Sequence, residues 1–270
     1  MPLFDFLLFI LVGCVVGFFA GLFGVGGGIL IVPVLIFSYT RSGVSPSVLT
    51  HIAMGTSLLV IVFASLASAY QQNRQNNIEW RVVTVLGISS AAAALLATRL
   101  AASISGWHLK IAFALLVIAG GIRMLTETEV QAQRKLEEMA KASRVRLVGI
   151  GLAAGAVAAV GGVGGGVITI PMMYHFLNMP LKLAIGTSSA TIVITALFSV
   201  TGYILNGIGR ADLPEWSVGF IDPQRGAALI IGTVLMARIG AYASFKAQPH
   251  RLRRFFALFV ILISILMLLK

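Results

Sequence analysis

The chain has 270 residues, of which 58% are apolar and only 11% are charged, whereas about 25% of the residues in a soluble domain are charged. This composition excludes a soluble enzyme, a disordered chain and a disulfide scaffold, and it leaves room for about eight to ten membrane-spanning segments of about 20 residues each. The net charge of +11 comes from basic residues scattered in short loops between apolar runs, a pattern that is typical of multi-pass membrane proteins and does not indicate nucleic acid binding.

The first apolar segment, residues 6–40, is too long for one crossing and carries a cluster of glycines in its middle. Glycine is a poor residue for a helix interior, so a dense cluster should interrupt the helix. The cluster contains Gly21, Gly24, Gly26, Gly27 and Gly28. We therefore expect a helix, a non-helical glycine loop and a shorter second helix with a kink at Pro33.

Further apolar runs follow at residues 42–73, 82–98 and 111–122, and each predicts a membrane-spanning helix. The next segment, residues 127–146, is polar and contains four Glu and five Lys or Arg residues. We interpret it as a water-facing connector. The predicted organisation is therefore a first transmembrane repeat at residues 1–126, the connector at 127–146 and a second transmembrane repeat at 147–270.

The second half repeats motifs of the first half in the same order, although loop lengths differ. The segment Gly24–Pro33 matches Gly162–Pro171, and the Gly-Thr-Ser segment Gly55–Ser57 matches Gly186–Ser188. The second glycine cluster contains Gly161, Gly162, Gly164, Gly165 and Gly166, followed by Pro171. Weaker matches pair Glu79-Trp80 with Glu215-Trp216, Arg99 with Arg238, and Phe113–Leu115 with Phe256–Leu258. Duplicated halves are common in secondary transporters.

The distribution of Lys and Arg predicts the topology. If each glycine-interrupted unit returns to its starting side, these residues divide 14 to 6 between the two faces, whereas single crossings divide them 11 to 9. Because cytoplasmic loops carry the excess of positive charge, we prefer the hairpin. The number of net crossings per half is then odd, which inverts the second half relative to the first. The connector is then cytoplasmic, and both termini are outside.

The predicted fold class is an all-α polytopic membrane protein with two inverted-topology repeats, each starting with a glycine-broken helical hairpin followed by three transmembrane helices. The N-terminus has no basic region before its first apolar run, and we interpret this run as an uncleaved first membrane segment and not as a removable signal.

The broken segments predict a binding site, because non-helical backbone at membrane depth survives only where it is buried in protein or lines a cavity. Free amide groups at a helix start attract anions, and neighbouring hydroxyl groups add donors. The candidate substrate-binding residues are Gly24, Gly26, Gly27, Gly28, Thr56, Ser57, Gly162, Gly164, Gly165, Gly166, Thr187 and Ser188. An alternative stays open, in which the glycines only permit close helix packing and the hydroxyls bond their own backbone.

Weaker candidates for the pathway or for gating are His51, Arg99 and Arg238, for which an interfacial histidine and snorkelling arginines are the alternatives. Pro33 and Pro171 are hinge candidates. The lone Cys14 and the scattered histidines indicate neither a metal site nor a cofactor. Because no Asp or Glu lies inside a predicted span, an anion could leave a negative-inside cell downhill without a coupling ion, at about 2.3 kcal/mol per charge for 100 mV.

The doubled pattern G-x-G-G-G-x-x-x-x-P followed by A-x-G-T-S resembles the TauE/SafE family of sulfite exporters and related permeases. Here it is formed by Gly24–Pro33 with Ala53–Ser57 and by Gly162–Pro171 with Ala184–Ser188. The resemblance covers nearly the whole chain. It implies transport of sulfite or other small sulfur-containing anions across the inner membrane, with the glycine loops and the Gly-Thr-Ser segments as substrate contacts.

We therefore expect a permease for a small anion, with sulfite or a small organosulfonate first and export as the direction. Its expected partners are the small anionic substrate and the lipid bilayer, with no nucleic acid, and a homo-oligomer stays open. Two alternatives remain at this point: transport of another small anion such as a carboxylate, and a membrane binding or assembly protein that moves nothing. An enzyme is not expected, since no partnered acid, base or nucleophile lies in the apolar runs.

Overall fold

The computed structural model describes residues 3–101, 144–210 and 212–248, together with a few residues between 250 and 262. The described part is helical, apart from an isolated bridge between Val218 and Ile221, so the predicted all-helical fold is confirmed there. The helices are α1 (Leu3–Phe23), α2 (Gly28–Arg41), α3 (Pro46–Asn73), α4 (Trp80–Ala101), α5 (Arg144–Gly161), α6 (Gly166–Phe176), α7 (Leu181–Gly207) and α8 (Pro223–Lys246).

Among these residues, the helices α1, α3, α4, α5, α7 and α8 are long and apolar enough to cross a membrane. The helices α2 and α6 have only 14 and 11 residues, or about 21 and 16 Å, which is shorter than the hydrocarbon core of about 30 Å. The third transmembrane helix predicted for each half and nearly all of the polar connector lie outside the described residues.

The predicted helix breaks are confirmed at both glycine clusters. We name residues 24–27 the first Gly loop and residues 162–165 the second Gly loop. Gly27 and Gly165 immediately precede α2 and α6, and their φ angles of 84° and 80° lie in the left-handed region that favours glycine. Side chains at these two positions would strain the start of the short helix that follows.

Each Gly loop joins two helices that turn back on each other. Asp5, near the start of α1, and Ser42, just after α2, line one open pocket of about 640 Å³. In the second half, Leu147, near the start of α5, and Leu177, just after α6, belong to one hydrophobic cluster. The short helices α2 and α6 therefore return toward the face at which their long partners begin, as the hairpin prediction requires.

Two hydrophobic clusters occupy opposite ends of the bundle. We name these ends the Asp222 end and the Glu79 end, after the residues that immediately precede α8 and α4. The Asp222 end contains the starts of α1, α3 and α8 with the ends of α2 and α7, and its cluster includes Phe9, Tyr39, Val48, Tyr203 and Phe220. The Glu79 end contains the starts of α4, α5 and α7 with the ends of α1, α3 and α6, and its cluster includes Phe23, Val82, Leu147, Leu177 and Leu181.

The central helices α3 and α7 are antiparallel. Tyr203, late in α7, contacts Met54, early in α3, with 3.4 Å between Oη and Sδ, while Ser68, late in α3, lies 3.1 Å from Ser189, early in α7. In both helices 72% of the most apolar stretch is buried, against 39% in α1 and α5. The pair α3 and α7 therefore forms the interior, around which the other helices pack.

Outer helices pack in parallel pairs through small residues. A methyl group added at Gly13 or Gly17 of α1 would lie 2.5 Å from the carbonyl oxygen of Leu229 or Thr233 of α8, so the two backbones touch. The same kind of contact joins Gly155 of α5 to Ser90 of α4. The opposite face of α1 exposes large apolar side chains, among them Leu7, Leu11 and Val15, as a lipid-facing surface requires.

Candidate functional site

The two Gly loops are buried and touch each other. A methyl group added at Gly28 would collide with the carbonyl group of Gly162, and one added at Gly166 would lie 2.7 Å from the carbonyl oxygen of Gly24. Each short helix therefore begins against the opposite loop, and the sequence-predicted glycines of the two halves form one continuous site.

Two isoleucines hold the loops between the central helices. A methyl group at Gly26 would lie 2.9 Å from Ile61 of α3, and one at Gly164 would lie 2.9 Å from Ile61 and 3.1 Å from Ile192 of α7. Both isoleucine side chains are essentially inaccessible to solvent. Any side chain larger than hydrogen at Gly26 or Gly164 would displace this contact layer.

The helices α2 and α6 start at these loops and run in opposite directions, toward the Asp222 end and the Glu79 end. No side chain caps either start. The first amides that bond within the helices belong to Leu30, which donates to Gly27 O at 3.0 Å, and Ile168, which donates to Gly165 O at 3.1 Å. The positive ends of two helix dipoles thus meet in a buried layer, an arrangement that can stabilise an anion.

The serines of the Gly-Thr-Ser segments bond the loops. Ser57 donates to Gly162 O at 2.8 Å, and Ser188 donates to Gly24 O at 3.0 Å. Each serine thus holds the Gly loop of the other half. Because a hydroxyl has one hydrogen, neither side chain can donate to an anion while this bond lasts. Their predicted role as anion contacts stays a prediction.

The threonines of the same segments bond the helix starts of the opposite half. Thr56 Oγ1 accepts from the amide of Asp222 at 2.8 Å, and Thr187 Oγ1 accepts from the amide of Glu79 at 3.0 Å. Asp222 therefore has the same position relative to Thr56 as Glu79 has relative to Thr187. The sequence match of Glu79 with Glu215 is wrong at this point, since Glu215 is exposed in the loop before α8.

Sequence analysis did not single out Asp222, which is completely buried. Its carboxylate accepts from the amides of Gln224 and Arg225 at 2.9 and 3.1 Å, from Tyr39 Oη at 3.2 Å and from Arg225 Nη1 at 3.0 Å. Arg225 Nη2 also donates to Ser42 Oγ at 2.6 Å. This ion pair ties α8 to the end of α2.

The sequence does contain a signal for part of this network. Asp222 stands before Pro223 at the start of an apolar run, which is the signature of a helix N-cap with proline at the first helical position. Its burial has no local signal, because it depends on Tyr39 and Thr56, which come from helices far away in sequence.

The weaker candidates lie apart from the loops. Arg99 and Arg238 are exposed, and the Arg238 guanidinium lies 5.1 Å from the ring of Tyr70, as expected of a snorkelling side chain. His51 is half-buried beside Phe220, with 5.1 Å between the ring centroids, and its Nδ1 finds no partner in the described part of the chain. Its predicted role in the pathway stays a prediction.

Pro33 and Pro171 lie inside α2 and α6, and their predicted role as hinges also stays a prediction. Among the described residues, no group of three or more His, Cys, Asp or Glu side chains could hold a metal ion.

Comparison with known proteins agrees with this architecture. The profile of the family described as "Sulfite exporter TauE/SafE" matches residues 9–267. A "Probable membrane transporter protein" of Haemophilus influenzae is 32% identical over 270 residues, covering 98% of both chains. A protein of the same description from Methanocaldococcus jannaschii is 26% identical over 93% of this chain and 92% of its own. No solved structure matches significantly.

The match covers both Gly loops and both Gly-Thr-Ser segments, and the relatives are described as transporters and not as enzymes. Six described helices are able to span a membrane, as an integral multi-pass protein requires. The chain therefore belongs to the TauE/SafE sulfite exporter family and is a membrane transporter.

Proposed function

We propose that this transporter exports a small oxyanion, with sulfite and small organosulfonates as first candidates, by alternating access around the two Gly loops. Residues 1–126 and 147–270 act as inverted repeats. The connector at 127–146 is cytoplasmic, and both termini are outside. In this mechanism Pro33 and Pro171 are the hinges, because each leaves a helix carbonyl group without its usual amide partner.

The inverted arrangement is supported by contacts that occur in matched pairs. Ser57 bonds the second Gly loop as Ser188 bonds the first, and Thr56 and Thr187 bond helix starts at opposite ends. The helices that carry these residues are antiparallel. A rotation that exchanges two antiparallel halves exchanges the two ends of the bundle, which is what alternating access around a fixed site requires.

The observation that carries the proposed site is the meeting of two uncapped helix starts in one buried layer. An oxyanion there would accept hydrogen bonds from the amides at residues 28, 29, 166 and 167, which neither a side-chain cap nor a helix hydrogen bond occupies. None of the described residues places a cationic side chain in this layer, so the anion would be bound there by dipoles alone. Dipolar binding is weak enough to allow release, and release is necessary for transport.

Counterflow tests the function. Purified protein is reconstituted into liposomes loaded with unlabelled sulfite, and uptake of labelled sulfite is followed with competing sulfonates and carboxylates outside. We expect saturable counterflow, strongest competition from sulfonates, and none in protein-free liposomes. No counterflow with sulfite, a sulfonate or a carboxylate would contradict the proposal.

A matched pair of variants tests the site. A side chain at Gly165 would be strained at φ 80° and would lie 2.7 Å from the carbonyl oxygen of Ala154, whereas Gly149 of the same helical hairpin has open space around it. We expect Gly165→Val to abolish counterflow while the protein still inserts, and Gly149→Val to keep it. Normal counterflow in Gly165→Val would contradict a site at the second Gly loop.

The orientation has its own test. A reporter that is active only in the cytoplasm, inserted at residue 140 of the connector, is expected to be active. Activity of only an exported reporter at the same position would show the opposite orientation, while the proposed direction of export, which follows from the membrane potential, would not change.

A further inference from the structure

Beyond the Gly loops, α3 carries a buried polar face that leads to the Glu79 end. Ser65, Ser68 and Gln72 follow one another at intervals of three and four residues, which puts them on one side of the helix. Their exposed fractions are 2%, 1% and 1%. A polar face buried inside an apolar bundle needs either bonding partners or a polar ligand.

Two of these side chains carry an unbonded polar atom. Within the described residues, neither Ser65 Oγ nor Gln72 Nε2 makes a hydrogen bond. Buried polar groups are nearly always bonded, and an unbonded one costs about 1–3 kcal/mol. Ser68 differs, because its hydroxyl lies 3.1 Å from Ser189 Oγ, which in turn donates to the backbone of its own helix.

Ser65 also departs from the usual behaviour of a helical hydroxyl. In α7, the buried Thr191, Thr195 and Ser199 each donate to the carbonyl group four residues earlier, at 2.9, 3.1 and 2.9 Å. Ser65 makes no such bond. Its hydroxyl lies 3.5 Å from the place where a methyl group would sit on Gly26, so it faces the first Gly loop.

Gln72 continues the line of donors away from the loop. Its Oε1 accepts from Asn77 Nδ2 at 3.2 Å, and in this arrangement Nε2 is the free donor. The backbone carbonyl group of Asn77 packs directly on Gly186, next to Thr187 and Ser188. Gln72 therefore lies near the second Gly-Thr-Ser segment, on the Glu79 side of the loops.

We propose that Ser65 and Gln72 are anion-contact residues on the path between the Glu79 end and the Gly loops. This inference rests on the proposed function, for which it names the donors outside the glycine loops. A small oxyanion in transit accepts from the Ser65 hydroxyl and the Gln72 amide, which replace part of its hydration shell. Both donors are neutral, so they ease passage without holding the anion.

The corresponding stretch of α7 has no such donors. Eight residues after Ser57 stands Ser65, whereas eight residues after Ser188 stands Ala196. Fifteen residues after these serines stand Gln72 and Tyr203. The Tyr203 hydroxyl donates to Ala159 O at 2.9 Å and is therefore already used. Of the positions compared in α3 and α7, only Ser65 and Gln72 carry unbonded donors, and both lie on the Glu79 side of the loops, which ties them to the path from the Glu79 end. His51 Nδ1 and Arg225 Nε, which also find no partner among the described residues, lie at the Asp222 end, outside the two stretches compared.

The test uses two variants that remove a donor with little change in shape, Ser65→Ala and Gln72→Met. An anion bound through one fewer charge-assisted hydrogen bond should need an about tenfold higher sulfite concentration for half-maximal counterflow. Stability should stay the same or rise in Ser65→Ala, because only an unbonded buried donor has been removed, whereas it should fall slightly in Gln72→Met, which also loses the hydrogen bond from Asn77. A purely structural role would lower the melting temperature and the flux together.

Ser199→Ala is the matched control, since its hydroxyl already bonds Thr195 O and offers no free donor. We expect this variant to keep the wild-type half-saturation. Wild-type half-saturation in both Ser65→Ala and Gln72→Met would overturn this inference alone. A wild-type protein with no counterflow of sulfite, sulfonate or carboxylate would overturn the proposed function and this inference with it.

Discussion

The two ends of the bundle are built around the same central contacts but closed by different chemistry. At the Asp222 end, a buried ion pair and the aromatic pair Tyr203 and Phe220 fill the space beyond the Gly loops, with 6.3 Å between the ring centroids. At the Glu79 end, Gln72 and Asn77 occupy the comparable place, and Glu79 is only half-buried.

The two ends of the bundle therefore share a backbone course without sharing a role. The amide of Phe220 donates to Tyr203 O, as the amide of Asn77 donates to Gln72 O, so the chain follows the same course at both ends. The side chains at the Asp222 end are mostly apolar around one buried ion pair, whereas Gln72 and Asn77 make the Glu79 end polar and leave Gln72 Nε2 without a hydrogen bond to any described residue. We expect the two ends to respond differently to equivalent substitutions.

The largest difference is expected from arginine substitutions beside the two helix starts. Arg225→Met leaves the buried Asp222 carboxylate without its cation, which should lower the free energy of unfolding by about 3–5 kcal/mol. The exposed Arg81 lies near the half-buried Glu79, and Arg81→Met should change this free energy by less than about 0.5 kcal/mol. Denaturant or thermal unfolding in detergent measures both, and equal losses would break the comparison.

A smaller difference is expected at the two residues that precede the short helices. Both Gly27→Ala and Gly165→Ala place a side chain at positive φ, at a cost of about 1–2 kcal/mol. The new methyl group meets a movable side-chain carbon of Val16 in the first case and the fixed Ala154 carbonyl oxygen in the second. Gly165→Ala should therefore be the less stable variant, and the reverse order of melting temperatures would contradict this reasoning.

The central layer should respond equally in both halves. Ser57→Ala and Ser188→Ala each remove one hydrogen bond to a buried loop carbonyl, so each should cost about 1–3 kcal/mol, with values within about 0.5 kcal/mol of each other. Unfolding of both variants in the same detergent measures this. A clear inequality would show that the asymmetry of the ends extends into the site.

Within the Asp222 end, two tyrosine hydroxyls are expected to contribute unequally to stability. Tyr39→Phe removes a bond to the Asp222 carboxylate, and Tyr203→Phe removes one to the neutral Ala159 carbonyl group. Hydrogen bonds to charged groups contribute about 1.5–3 kcal/mol and neutral ones about 1 kcal/mol. Tyr39→Phe should therefore have the lower melting temperature, and the opposite order would weaken the view that the ion pair dominates this end.

Much of the fold was predictable from local sequence. The glycine clusters predict the interruptions between α1 and α2 and between α5 and α6, because few other residues adopt positive φ at low cost. Charge-free stretches predict the long helices, although α4 extends beyond its predicted apolar run of 82–98 at both ends. A helix can extend past its apolar stretch wherever its ends reach water.

The site was only partly predictable. The glycines were identified from their spacing, and the structure brings both clusters together. The buried ion pair of Asp222 and the unbonded donors Ser65 and Gln72 were not identified. The local sequence does not show whether the side chain of a serine or glutamine in a long apolar helix is hydrogen-bonded, because its partners come from segments that are distant along the chain. Sequence repetition was misleading at Glu215, since an exposed residue matched the motif better than the buried Asp222.

The close contact of α1 with α8 also determines the order of assembly in the membrane. The helix α1 packs its glycines against a helix that appears roughly 200 residues later in the chain. At 5–20 residues per second, α1 waits about 10 to 40 s for this partner, whereas only residues 102–143 separate α4 from its partner α5. Termination of synthesis before α8 would therefore leave the glycine face of α1 uncovered.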